Sequence, residues 1–264
     1  MDKVETVPPE TPSPADSAEP KSPVDVLYTQ EPRAAFTPQT IDVETKQSPS
    51  KEDFFIFRPS VAQQAIQEIQ SHLSQDEDGE LQSSWILAQI SHWGTEREVL
   101  AFICNKSLLI CYYDFVELGS SRVFRIPLNY IDTLTWGPLS YPRMALNKRD
   151  VYALQVKWDK LREPPSLFSW WNPWTEDLSY INLIQHPGDT TEKHLKDMCQ
   201  LDKFMERLVD MVKLAHERSP LPGRANGLLV LNRPVNTDTS LGLLSLLNSK
   251  ARLGYAKPRW GFGF

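Results

Sequence analysis

The chain has few cysteines and no long apolar run, and each shortage excludes a class of protein. Three cysteines in 264 residues supply neither a disulfide framework nor a four-cysteine zinc site, which favours a reducing, intracellular setting. No wholly apolar run approaches the roughly 18–20 residues that span a bilayer, and the start Met1-Asp2-Lys3 does not resemble a signal peptide. The sequence therefore predicts a protein that is neither transmembrane nor secreted.

The two ends of the chain lack different residue types and carry charge of opposite sign. Residues 1–50 have no glycine but hold nine of the 21 prolines and nine acidic against four basic side chains, a composition that cannot offset its ordering entropy by burying apolar surface. We predict that they form a disordered, acidic tail. Residues 239–264 have no acidic side chain. The charges between these ends nearly balance, which argues against a nucleic-acid partner.

Motifs for catalysis are also missing. The sixth residue after Cys104, Cys111 or Cys199 is never the arginine that would close a cysteine-phosphatase loop. The five histidines include no i, i+4 pair, and HExxH, GxxxxGK[ST] and GxSxG are absent. His216 is predicted to lie on the polar, solvated side of a helix. We assign no catalytic residue, no metal and no cofactor.

Hydrophobic periodicity predicts helices at both ends of a run of strands. Ser60 and Gln63 fit a capping box that begins a helix over 60–74, and Asp189 and Glu192 fit another that begins one long helix to about Arg218. A further strand at 227–231 and a short apolar helix at 241–247 follow. The seven strands between the helices are expected at 83–92, 97–104, 107–113, 121–127, 131–137, 151–158 and 179–185.

This element order predicts an α+β fold with three parts. Its centre is a pleckstrin-homology-like antiparallel β-barrel of about seven strands, closed by the long C-terminal helix and preceded by one helix. The expected parts are the tail at 1–50, the folded domain at 51–237 and a basic, aromatic segment at 238–264.

Two segments are candidates for binding. Trp170, Trp171 and Trp174 lie in one loop, which either folds over the core or forms an interface with a partner or a second copy. In the C-terminal segment a leucine-rich stretch precedes four bases and Trp260, and this segment either packs on the barrel or contacts an anionic membrane. The candidate membrane contacts are Lys250, Arg252, Lys257, Arg259 and Trp260.

Two weaker binding hypotheses concern other basic residues. The loop 141–149 carries three bases that either contact anionic headgroups or form a solvated turn. The loop that joins the first two strands, Trp93 to Glu96, is followed only by Arg97, which leaves the usual pleckstrin-homology headgroup site nearly empty. The amphipathic helix at 203–218 contains bases, as calmodulin targets do, but Glu206, Asp210 and Glu217 dilute them.

Several exact strings make the chain resemble the tumour-protein-p63-regulated gene family, in particular its neuronal "like" branch. They lie between about residues 55 and 264. The strings are Phe57-Arg58-Pro59, Ser107-Leu108-Leu109-Ile110-Cys111, Tyr113-Asp114-Phe115, Leu146-Asn147-Lys148-Arg149, Trp171-Asn172-Pro173-Trp174, Ser219-Pro220-Leu221-Pro222-Gly223, Ala225-Asn226-Gly227, Leu253-Gly254-Tyr255 and Gly263-Phe264.

The resemblance implies a domain shared with a Sac-type inositol phosphatase, outside its catalytic module and associated with homodimerisation. It also implies a non-enzymatic, self-associating protein that attaches peripherally to synaptic vesicles from the cytoplasm and modulates transmitter release. Implied partners are the chain itself, the anionic vesicle surface, and presynaptic scaffold proteins or calmodulin. Two alternatives stay open: a lipid-reading adaptor in vesicle traffic outside neurons, and a phosphoinositide enzyme, against which the missing cysteine-to-arginine loop counts.

Overall fold

A computed structural model describes residues 54–115, 117–142, 145, 148–159, 178–237 and 253 of the chain. The predicted acidic tail at 1–50 and the apolar helix at 241–247 lie outside these residues. The described residues belong to one unit, Ser48–Phe264, and they form an α+β fold that is dominated by antiparallel strands.

Nine strands form the centre of the fold. Their order in the sheet is β4-β3-β2-β1-β7-β6-β5-β8, and β9 pairs with the other end of β5. All pairs are antiparallel except those that β8 and β9 make with β5, which are parallel. The strands are β1 (Leu81–Ile90), β2 (Glu96–Cys104), β3 (Ser107–Asp114), β4 (Gly119–Pro127), β5 (Ile131–Ser140), β6 (Tyr152–Trp158), β7 (Tyr180–Gln185), β8 (Leu229–Asn232) and β9 (Val235–Asn236).

Among the described residues, three α-helices pack against this sheet: α1 (Val61–Ser71), α2 (Lys193–Met198) and α3 (Leu201–Arg218). Because successive strand residues face opposite sides, the strands supply an inner core and an outer core, and a third, smaller cluster lies around Ile90, Ile184 and Val235. The inner core joins alternate residues of β1 to β7 to the apolar stripe of α3, including Phe204 and Leu208. The outer core joins the other face of β1 to β3 to α1, α2 and a short 3-10 helix, Phe55–Phe57.

The predicted α+β class and all seven strands between the helices are confirmed, and so is the strand near 227–231. The sheet is open, however, with β4 at one edge and β8 at the other, instead of the closed barrel that we predicted. The reason is β8, which occupies the free side of β5 where a closed barrel would need another partner. The sequence did not predict β9.

The helix ends differ from the predictions. Ser60 makes no side-chain capping bond and adopts a left-handed backbone with φ of 67°, and Glu192 likewise makes no side-chain cap. Both predicted capping boxes are therefore wrong. The predicted long helix is divided into α2 and α3 at Cys199 and Gln200, and the extended backbone of Gln200, with ψ of 108°, changes the direction of the chain there.

His216 is buried, and its prediction as a solvated residue is wrong. It lies in the last turn of α3, and its Nε2 is 2.8 Å from the carbonyl oxygen of Ile131, to which it donates a hydrogen bond. The side chain therefore connects the end of α3 to the start of β5.

Candidate interaction surface

The candidate interface and membrane-contact residues lie outside the described part of the chain. They are Trp170, Trp171, Trp174, Lys250, Arg252, Lys257, Arg259 and Trp260. The described residues include the strand ends next to the tryptophan loop. They also include the β1–β2 connection, part of the basic loop and the three cysteines.

The strands on either side of the tryptophan loop are joined at its base. Trp158, at the end of β6, donates its backbone N–H to the Ser179 carbonyl at 3.1 Å. The neighbouring Asp159 forms an ion pair with Arg224 at 2.6 Å, and the Arg224 guanidinium lies 5.0 Å from the centre of the Tyr130 ring. This ion pair thus ties the segment after α3 to the end of β6, directly before the tryptophan loop.

The connection between β1 and β2 does not present a basic surface. Ser91 and Thr95 close it, because the Ser91 N–H donates to the Thr95 carbonyl at 2.9 Å and the Ser91 hydroxyl accepts from the Thr95 N–H at 3.1 Å. Trp93 and Glu96 are buried. The Arg97 guanidinium lies over the Tyr112 ring at 4.0 Å. That the headgroup site is nearly empty stays a prediction.

The basic loop at 141–149 has less free charge than its sequence indicates. Arg149 forms an ion pair of 2.6 Å with Glu96, whose carboxylate is buried. Because this carboxylate neutralises the guanidinium, Arg149 serves to close the loop onto the start of β2. Its charge is therefore unsuited to attracting an anionic headgroup.

The three cysteines are in no position to act as nucleophiles. Cys104, Cys111 and Cys199 are all buried and unpaired. Burial raises the pKa of each thiol to about 12, so the thiolate that attacks a phosphate or a carbonyl is not formed near neutral pH.

His186 and Glu98 form a buried hydrogen-bonded pair that stabilises the fold. His186 Nε2 is 2.7 Å from Glu98 Oε1, and its Nδ1 accepts the backbone N–H of Gly188 at 3.0 Å. The ring therefore carries its proton on Nε2 and donates it to Glu98. Both side chains are almost completely buried, and the rings of Phe54 and Phe57 lie edge-on against the imidazole.

Within the described ranges, no helix is both long and apolar enough to cross a membrane. Nor do three or more His, Cys, Asp or Glu side chains in those ranges cluster as metal ligands would.

The most exposed apolar side chains among the described residues lie toward the two ends of the sheet. Leu118 and Val123 are at the β4 edge, while Leu229 and Val230 are on β8. Leu229 is 49% exposed, and Tyr152 on β6 is 52% exposed. We call β8 with its exposed Leu229 and Val230 the β8 edge surface.

The inner side of the β8 edge surface continues into an aromatic pair. Val230 lies opposite Leu134 of β5, and Asn232 lies opposite Trp136. Trp136 and Tyr152 pack with their ring centres 5.6 Å apart. Directly paired residues share one face of a sheet, so Val230 and this aromatic pair face the same side.

Comparison with known proteins places these features in a family. Residues 53–159 match the family hSac2, described as "Inositol phosphatase". The human tumor protein p63-regulated gene 1 protein is 34% identical over 211 residues, which cover 80% of this chain and 76% of the human protein. Among solved structures, the hSac2 domain of the human phosphoinositide phosphatase Sac2 matches with a TM-score of 0.41 and 13% identity, over 73% of this chain and 96% of that domain.

Proposed function

This chain belongs to the tumor protein p63-regulated gene family, and from that premise we propose that it is a non-enzymatic, self-associating protein of vesicle surfaces that modulates neurotransmitter release at presynaptic terminals. The observation that carries the proposal is the extent of the similarity to the human family member, which runs through most of both chains. The presynaptic role comes from the resemblance to the neuronal branch.

The non-enzymatic part has support in the described residues. The matched domain family is described as "Inositol phosphatase". Phosphate hydrolysis by a cysteine nucleophile needs a thiolate beside the substrate. The three thiols of this chain are buried, and burial keeps the pKa of each near 12. The chain therefore uses the domain as a scaffold.

The proposed scaffold is pleckstrin-homology-like, as an open sheet. Two antiparallel meanders, β1 to β4 and β5 to β7, are joined by the pairing of β1 with β7, and α3 packs on the inner core. In this proposal the tryptophan loop with Trp170, Trp171 and Trp174 contacts a protein partner or a second copy of the chain.

Attachment to the anionic vesicle surface is assigned to the C-terminal segment. Lys250, Arg252, Lys257 and Arg259 provide four positive charges without an acidic neighbour, each contributing about 1 kcal/mol near an anionic surface. Trp260 adds an aromatic anchor of the kind found at membrane interfaces. The protein is then cytoplasmic and peripheral on its vesicle.

Vesicle flotation tests this assignment. Purified full-length chain and a truncation after Asn248 are floated with phosphatidylserine-containing and neutral vesicles, and the mass of each protein in solution is recorded in parallel. Full-length protein should float with the anionic vesicles as a dimer, whereas the truncation should not float. A full-length variant with its four bases changed to glutamine serves as the matched control and should lose flotation while keeping Trp260.

The alternative function, a lipid-reading adaptor in traffic outside neurons, is separated by a cellular readout. Removal of the protein from cultured neurons should change evoked transmitter release, and re-expression of the full chain should restore it. Unchanged release, together with altered vesicle traffic in non-neuronal cells, would instead support the alternative. Flotation of neither protein with any vesicle would contradict direct membrane attachment in both accounts.

A further inference from the structure

The two edges of the sheet are protected very differently. β4 has an irregular register with β3 near Tyr112 and Tyr113, and it carries Arg122, Arg125 and a terminal proline. Bulges, charges and prolines are the devices by which natural proteins prevent edge strands from pairing with other chains. The β4 edge therefore has the features of an edge that stays unpaired.

The β8 edge lacks bulges, charges and prolines, and its short length of four residues is the one protective feature it has. Its four residues, Leu-Val-Leu-Asn, include no charge and no proline, and its parallel register with β5 is uninterrupted from Leu229 to Asn232. The nearest base and proline, Arg233 and Pro234, follow the strand, and the Arg233 N–H is turned back to the Trp136 carbonyl at 3.0 Å. Leu229 and Val230 remain exposed.

From this contrast we infer that the β8 edge surface is where two copies of this chain pair, strand β8 against strand β8 in antiparallel orientation. The inference rests on the self-association in the proposed function and names its surface. A backbone edge is complementary to another strand edge, because each offers the donors and acceptors that the other needs.

A second copy suits this edge better than another arrangement of the same chain. Antiparallel pairing of identical strands has two-fold symmetry and closes after two copies, whereas pairing of β8 with β4 would join copies head to tail without closure. Residues 225–232 contain no charged side chain, so two copies of the segment meet without like-charge repulsion. Pairing with β4 would also bring Arg122 and Arg125 to the junction.

The small size of β8 sets the expected strength. A four-residue strand pair, even with neighbouring side chains, buries less than the standard interface of about 800 Å² per partner. We therefore expect a dimer that dissociates on dilution. This distinguishes it from an obligate dimer, whose larger and more apolar interface holds the protomers together at all working concentrations.

The chain offers a matched pair of positions for the test. Val230 on β8 is 38% exposed, and Val123 on β4 is 37% exposed, so both can receive a lysine at similar cost to the fold. Sedimentation of the full chain from about 1 to about 100 μM gives the dimer dissociation constant. V230K should raise it about tenfold or more, since each copy then brings a positive charge to the same junction, while V123K should leave it as in the wild type.

Cysteine cross-linking gives a second readout that does not depend on weakening the dimer. V230C should form a disulfide-linked dimer under mild oxidation, and V123C should not, because only the β8 edge pairs in this inference. The three native thiols are buried and should add no cross-link of their own. Thermal melting of every variant confirms that it is folded, and if V230K fails to fold, the cross-link alone decides.

The outcomes separate this inference from the proposed function. A wild-type chain that stays monomeric throughout the concentration series would overturn self-association itself. A wild-type dimer that V230K leaves intact, with no V230C cross-link, would keep self-association and overturn the β8 edge as its surface. Protection of the V230C thiol from a soluble reagent in the monomer would show that the chain covers its own edge, which also overturns the inference.

Discussion

The carboxylate of Asp78 receives two bonds from the guanidinium of Arg125, at 2.6 and 2.9 Å, although the Asp78 side chain is completely buried. Ser107 donates a third bond of 2.6 Å, and the Ser74 N–H donates a fourth. Asp78 lies between α1 and β1, whereas Arg125 belongs to the edge strand β4. The pair therefore ties this connection to the edge of the sheet.

The stability of the protein should depend on the ionisation of Asp78. Burial acts to raise the pKa of this carboxyl, but the hydrogen bonds from Arg125, Ser107 and Ser74 outweigh it and hold the pKa below its ordinary value. A lowered folded-state pKa means that the stabilisation is present above the unfolded value of about 3.9 and is lost as the pH falls through the folded value.

Denaturant unfolding between pH 7 and pH 3 measures this effect. D78N should cost about 3 kcal/mol at pH 7, because the buried amide cannot replace the charged bonds to Arg125, which keeps only its exposed ion pair with Glu77 at 2.7 Å. It should also reduce the loss of stability below about pH 4. D76N, at an exposed carboxylate of the same loop, is the control and should behave as the wild type. An equal acid loss in D78N and the wild type would contradict the role of Asp78.

Gly188 should tolerate no larger side chain. A Cβ at this position would lie 2.5 Å from Phe54 Cδ2 and 2.5 Å from Phe57 Cε2, and these rings also pack on His186. G188A should therefore displace the Phe55–Phe57 turn and destabilise the fold by about 1–3 kcal/mol. Thermal unfolding measures the loss. G227A, where no atom lies within 4 Å of the added Cβ, should change stability little.

Replacement of His216 should weaken the link between α3 and β5. H216A removes the donor that the Ile131 carbonyl accepts at 2.8 Å and leaves a small cavity, so the free energy of unfolding should fall by about 1–3 kcal/mol. H194A, at an exposed histidine, should stay within about 0.5 kcal/mol of the wild type. A neutral H216A would show that this hydrogen bond contributes nothing.

The cysteines should be unreactive in the native protein. Burial raises the pKa of all three thiols to about 12, so they remain protonated and shielded through pH 9. A chromogenic disulfide reagent should react with none of them in buffer and with all three in denaturant. Rapid labelling of Cys199 in the native state would contradict both its burial and the scaffold role proposed for the domain.

Most of the sheet could be predicted because β-branched and aromatic residues mark strands wherever they alternate between turn residues. The division of the C-terminal helix could not be predicted, because Cys199 and Gln200 are neither glycine nor proline. The division follows instead from the packing of Leu195 and Met198 in the outer core. The position of His216 was available in the pattern, because it follows the buried Val212 by four residues. The prediction missed it because it ended the buried stripe at Ala215.

The candidate surface was less accessible to sequence reasoning. The apolar run at 227–231 predicts a strand, but which strand ends a sheet depends on long-range pairing, and the exposure of Leu229 and Val230 follows from that. The one available signal was the absence of charge from 225 to 232. The tryptophan loop and the basic terminus are conspicuous in the sequence, yet they lie outside the described residues.

The pairing of β1 with β7 also has a consequence for how the chain folds. Leu87 pairs with Gln185, nearly a hundred residues later, whereas the pairs within the β1 to β4 meander join strands that follow one another along the chain. Local hairpins form quickly, and distant strands meet late. During synthesis the first meander is complete long before β7 leaves the ribosome. The second edge of β1 therefore stays unpaired in the nascent chain, and we expect a chaperone that protects nascent strands to bind there.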